Sequence, residues 1–263
     1  MPHRKNRSSK AELDLHEQVA LGWVREGPGQ SFGLQRPTEL SIKQFRDRFA
    51  RGGYWWTMSV NQSFGALIAR AAVAAGLRPV HLSLLNIAVG VATSAWLLFL
   101  QGSLPLAAAC TGILGWQLAY SLDCADGQVA RATGRSSPAG AVLDLLGDFF
   151  VQITVVFTML QIGTADMAPS WVSGFSVFVA GGWLISPYYG GILGLHEVPV
   201  GTPELRSVKG VVRQARDYGF HVALLPLATL VSPWSVATIL AVIAALNFLS
   251  LFLGINLHGR TKR

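Results

Sequence analysis

Asp123-Cys124-Ala125-Asp126-Gly127-Gln128-Val129-Ala130-Arg131 and, eight residues on, Gly140-Ala141-Val142-Leu143-Asp144-Leu145-Leu146-Gly147-Asp148 form the stretch that decides how this chain is read. Four aspartates sit there at regular intervals, flanked on both sides by long apolar segments. An unpaired carboxylate in apolar surroundings is expensive, so a cluster of them calls for something to neutralise it. Divalent cations meet that need best, because hard metal ions take oxygen ligands and supply the largest local positive charge. Asp123 and Asp126 are three residues apart and share a helical face, which Gly127 and Ala130 continue with almost no side chain. Gly140, Asp144 and Asp148 repeat every four residues and share a face of the next helix. Two such faces turned together predict a narrow groove with an anionic floor, small enough in its side chains for close approach. Arg131 and Arg135 are expected at its mouth, where guanidinium groups bind phosphate oxygens in pairs. Metal and arginine over a diphosphate is an arrangement suited to phosphoryl transfer.

The rest of the chain places this motif in a membrane. Its 263 residues are 51% hydrophobic and only 13% charged, with a mean hydropathy of +0.41. A soluble domain carries roughly 25% charged residues. The formal charge of +7 is confined to particular regions. No Lys or Arg occurs between Pro79 and Ala130, between Ser136 and Leu205, or between Asp217 and Gly259. That distribution fits a phosphate-rich lipid surface and argues against nucleic acid as a partner. Six apolar stretches, at about 80–100, 104–122, 139–163, 169–194, 218–233 and 235–257, approach the ~20 residues that cross a bilayer core. The links at 101–103, 163–169 and 232–234 contain no basic residue. All 21 Lys and Arg lie in the region up to Arg78, the 123–138 and 195–217 loops and the tail. Six spans put those four regions on one face, which the positive-inside rule makes cytoplasmic. The expected fold is therefore an all-α integral membrane protein of six transmembrane helices, preceded by amphipathic juxtamembrane helices.

Residues 1–56 are expected to form a cytoplasmic arm, and 57–263 the six-helix transmembrane domain. Within the arm, Ser41 with Gln44 three residues on reads as a capping box. Ile42, Phe45 and Phe49 then share one face, and Gly52-Gly53 ends the helix. Tyr54, Trp55 and Trp56 suit the headgroup layer. A second amphipathic helix is expected over 61–77, apolar at Phe64, Leu67, Ile68 and Val73, with Arg70 keeping it at the interface. Cys110 and Cys124 lack metal-ligand spacing and support no disulfide framework.

The pattern D-x2-D-G-x2-A-R-x8-G-x3-D-x3-D resembles the signature of the CDP-alcohol phosphotransferases, integral membrane enzymes of phospholipid synthesis, and each of its fixed positions is matched. The resemblance implies transfer of a phosphatidyl or other substituted phosphoryl group from a CDP-linked donor such as CDP-diacylglycerol to an alcohol, with release of CMP. It implies a pair of divalent ions, Mg2+ or Mn2+, on Asp123, Asp126 and Asp144. Asp148 would act as the base toward the acceptor hydroxyl, and would also touch metal. Gly127, Ala130, Arg131 and Gly140 would line the cytidine and diphosphate site. A homodimer is implied as well. Relatives acting on phosphorylated acceptors carry a basic residue after the last aspartate, where this chain has Phe149. Arg135, Arg206, Lys209 and Arg213 are then the candidates for acceptor or phosphate contacts. The excess of Arg (16) over Lys (5) fits a bacterial plasma-membrane protein. A competing class, a cation- or proton-coupled transporter, would place its carboxylates at the bilayer midplane and often in duplicated halves. No second copy of the motif occurs in the chain.

Overall fold

Proline opens most of the long helices. A computed structural model of the chain describes residues 36–185 and 216–261, and among these every regular element is helical. The elements are α1 (Ile42–Phe49), α2 (Gln62–Ala74), α3 (Pro79–Gln101), α4 (Pro105–Ala132), α5 (Pro138–Gly163), α6 (Pro169–Ala180), α7 (Tyr218–Ala228) and α8 (Pro233–Thr261). A π-helical turn, Thr57–Asn61, leads into α2, and another, Gly181–Ile185, extends α6. Pro79, Pro105, Pro138, Pro169 and Pro233 each occupy a first helical position, where the missing N–H costs nothing and φ is already set. Ser41 caps α1 as its sequence predicts, with both halves of the capping box formed to Gln44. Gly52 (φ 67°) and Gly53 (φ 120°) then turn the chain away from α1.

Three helices are long and apolar enough to cross a membrane: Pro79–Gln101, Pro138–Gly163 and Pro233–Phe252. The sequence leads to an expectation of six, so half of that count is met among the described residues. The helix over the second stretch, α4, has the length, but Gln117, Tyr120, Asp123, Asp126 and Gln128 dilute its apolar character. Its fourth and fifth counterparts are interrupted or short: α6 passes into the π turn after Ala180, and α7 has only 11 residues.

Helix α4 is the central element, packed by α3, α2 and α7, while α5 lies on α3 and α8 on α5. One apolar cluster joins Leu97, Trp116, Val155, Met159, Val222 and Leu240 from five helices. A second, around Phe45, Phe49, Ala66, Leu82, Leu122 and Val129, fastens α1 and α2 to α3 and α4. The helix expected over 61–77 forms as α2, Gln62–Ala74. Phe64 and Leu67 are 58% and 48% exposed, while Gly65, Ala66, Ala69 and Ala72 are buried. Small residues face protein and large ones face outward, as suits a helix whose outer surface meets lipid. Arg70 closes the segment by donating from Nε to the Thr38 carbonyl (3.2 Å).

Close approach of α3 and α4 depends on Gly115, where a Cβ would lie 2.1 Å from Thr93 Oγ1 and 2.9 Å from its Cβ. Gly182 is similarly pressed against the Ala244 backbone, 2.6 Å from its Cα. Gly115→Val is expected to destabilise the protein by about 1–3 kcal/mol through overpacking. Gly174→Ala, in open space, should change stability by less than ~0.5 kcal/mol. Thermal unfolding in detergent checks both.

Candidate active site

A short turn links α4 to α5, and both helices pack on α3, which brings the two halves of the motif together. Gly134 (φ 64°) allows the reversal, and the Arg135 amide returns to the Ala130 carbonyl (2.9 Å). Ser137 caps α5, its Oγ accepting from the Gly140 amide (3.0 Å). Asp123 and Asp126 stand toward the end of α4, and Asp144 and Asp148 toward the start of α5. One carboxylate oxygen from each of Asp123, Asp126 and Asp144 lies within 4.8 Å of the others. Asp148 stands one helical turn past Asp144 on α5. Asp126 is the most enclosed of them, 4% exposed.

A third helix supports this cluster, and its contribution is absent from the sequence expectations. Ser83 Oγ donates to Asp126 Oδ2, and Asn86 Nδ2 donates to Asp123 Oδ1 at 3.4 Å. Both are buried on α3, three residues apart. The readable signal was a stripe of small and polar residues in an otherwise apolar span: Ser83, Asn86, Gly90 and Ser94 recur at helical intervals. Asn86 Oδ1 is buried beside the cluster with no hydrogen-bond partner. Three convergent carboxylates with an orphaned amide oxygen nearby form an all-oxygen donor set, which fits a hard divalent cation.

Two cavities converge on the carboxylates and share Asp126, Gly127, Arg131 and Asp144. The first, about 180 Å³, is lined by Ser83, Ala130, Arg135, Ser137 and Gly140 as well. Gly127, Ala130, Arg131, Arg135 and Gly140 are thus brought together as expected. The second, about 530 Å³, runs toward Arg51, Tyr54, Tyr120, Arg216 and Tyr218. Arg131 divides its donors. Its Nε–H goes to the Phe49 carbonyl (2.6 Å), and its terminal nitrogens lie over Gly127, where a Cβ would be 3.0 Å from one of them.

Arg206, Lys209 and Arg213 lie outside the described residues. Their neighbour Arg216 is half-buried in the second cavity and donates to Asn247 Oδ1 on α8 (3.2 Å). Burial lowers the pKa of that guanidinium. Asp217 is a further residue the sequence reading missed. Fully buried, it caps α7 by accepting from the Gly219 amide (3.0 Å) and also accepts from the Thr57 amide (2.9 Å) and hydroxyl. Its position directly before an apolar run was the available signal.

No curated protein matches the chain. Residues 77–186, which contain α3, α4, α5 and all four motif aspartates, match the family model of the CDP-alcohol phosphatidyltransferases.

Proposed function

We propose that this protein transfers a phosphatidyl group from CDP-diacylglycerol to an alcohol, releasing CMP, at the carboxylate cluster between α4 and α5. The observation that carries this reading is the convergence of Asp123, Asp126 and Asp144 at the meeting point of two cavities, inside a family-matched segment. One cavity suits a nucleotide diphosphate and the other an acceptor, with the carboxylates where the two would meet.

Asp123, Asp126 and Asp144 would hold a pair of divalent ions, Mg2+ or Mn2+, with Asp148 at the edge of the set. Bound there, the ions supply positive charge to the diphosphate as negative charge moves onto the departing phosphate. Ser83 and Asn86 hold Asp126 and Asp123 in place, so the ligands need little rearrangement. The free nitrogens of Arg131, together with Arg135, grip the diphosphate oxygens, and Gly127, Ala130 and Gly140 leave room for the cytidine. Asp148 takes the proton from the acceptor hydroxyl. The acceptor oxygen then forms its bond to the phosphatidyl phosphorus, and the bond from that phosphorus to the CMP oxygen breaks.

The acceptor enters through the larger cavity, where Arg51 and Arg216 favour an anionic group on the alcohol. Arg206, Lys209 and Arg213, which precede Arg216 in the sequence, are proposed as further acceptor or phosphate contacts. Phe149 lines neither cavity, so acceptor selectivity is assigned to Arg51 and Arg216. The six apolar stretches cross the plasma membrane of a bacterial cell with the basic loops cytoplasmic, and two copies associate as a homodimer.

Purified protein should release CMP from CDP-diacylglycerol in the presence of Mg2+ or Mn2+ and a suitable alcohol, and EDTA should stop it. Absence of CMP across a panel of cytidine donors and alcohols, with intact protein, would remove the assignment. Asp148→Asn is expected to lower turnover by about 10²–10⁴-fold, the range for a lost general base, while CMP binding persists. Ser83→Ala should raise the Mg2+ concentration for half-maximal activity roughly 10-fold or more, as loss of a group that orients a ligand does. An unchanged Mg2+ dependence would deny Ser83 that role.

A further inference from the structure

The chain before residue 77 reaches the motif arginine Arg131 through one main-chain oxygen. The last four carbonyls of a helix have no partner within it. Phe49 is the final residue of α1, and its carbonyl accepts from Arg131 Nε at 2.6 Å. The donor is therefore a motif arginine, and the acceptor is an atom that α1 leaves open.

The arm is firmly held where this happens. Phe45 and Phe49 are buried and meet edge to face with ring centroids 4.7 Å apart. Arg46 Nη1 reaches Ser63 Oγ on α2 (3.1 Å). Beyond the glycine turn, Gln62 Nε2 donates to the carbonyls of Arg51 (3.4 Å) and Gly52 (3.5 Å). Gln62 Oε1 in turn accepts from Gln128 Nε2 (2.7 Å), one residue past Gly127. The chain on both sides of the Phe49 carbonyl is thus tied back to the helices that carry the carboxylates.

A long arginine ordered only on binding would lose much of its rotamer freedom at that moment. Fixing Nε leaves the planar group aimed while both terminal nitrogens stay available for an anion. Those nitrogens lie over Gly127, in the space a side chain would fill, on the wall shared by both cavities. We propose that α1 positions Arg131 for phosphate binding through the Phe49 carbonyl, so that Phe49 is a positioning residue of the site. This rests on the phosphate-binding role given to Arg131 above. The arm lies wholly outside the family-matched segment, so this support is a feature of this chain's own N-terminal region.

Two measurements on the full-length protein in lipid nanodiscs decide it. Limited trypsin digestion, read by mass spectrometry after Lys43, Arg46 and Arg48, reports how firmly the arm is seated. Arg131→Gln should speed those cleavages roughly 5-fold or more, the effect of losing one charge-assisted hydrogen bond. The second measurement is the affinity for CDP in the wild type, Phe49→Ala, Arg131→Gln and the double variant. Each single change should weaken CDP about 10-fold, the double no more than Arg131→Gln alone, since contacting residues are not additive. Phe49→Leu, which keeps the burial, should restore CDP binding. Unchanged cleavage, or losses that multiply in the double variant, would overturn the positioning role. Failure of the wild type to bind CDP would instead remove the donor reading, and this role with it.

Discussion

Carboxylates repel one another, and the repulsion grows as the surroundings become less polar. Everything distinctive about this protein follows from gathering four of them where two helices meet. Asp123 and Asp126 near the end of α4 and Asp144 near the start of α5 each place a carboxylate oxygen within 4.8 Å of the others, with Asp148 one turn further along α5. Packing of α4 and α5 on α3 concentrates these acidic groups, and the proposed function balances their charge with divalent cations.

The surrounding structure serves that constraint. Gly115 lets α3 approach α4 closely enough for Ser83 and Asn86 to reach the carboxylates. The apolar cluster around Trp116, Val155 and Leu240 lies along the helices away from the charge and sets their separation. The cluster around Phe45 and Phe49 performs a different task, seating the arm against α2 and α4 and so directing Arg131. One arginine is thereby joined to the fold through Nε and to the site through its remaining nitrogens.

The motif was legible because its chemistry depends on spacing along single helices. Three- and four-residue intervals fix a shared face without knowledge of any other element. Helix starts were legible for a similar reason, since Ser41, Pro79 and Pro138 act on their own first turns. Contacts between distant segments were not legible. Nothing in the local sequence pairs Phe49 with Arg131, or Asp217 with Thr57, because a main-chain carbonyl carries no sequence signature and a cap can serve two elements. The apolar face of α2 was legible, and its Phe64 and Leu67 point outward as an interfacial helix requires. Next to lipid the preference is set by close packing, and the small residues take the inner face. Three of the six expected spans are met among the described residues. Hydropathy marks where a chain is apolar, while the interruption after Ala180 and the shortness of α7 depend on how the backbone is packed.

The claim that this carboxylate cluster exists to hold divalent cations is open to direct measurement. Electron paramagnetic resonance of Mn2+ titrated into the purified protein reports binding and the proximity of bound ions, with or without turnover. The expected result is saturable Mn2+ binding that weakens sharply in Asp126→Asn and Asp144→Asn, with a spectrum altered when CDP is added. Wild-type protein that binds no Mn2+ at millimolar concentration, or variants that bind it as the wild type does, would contradict the role assigned to these aspartates.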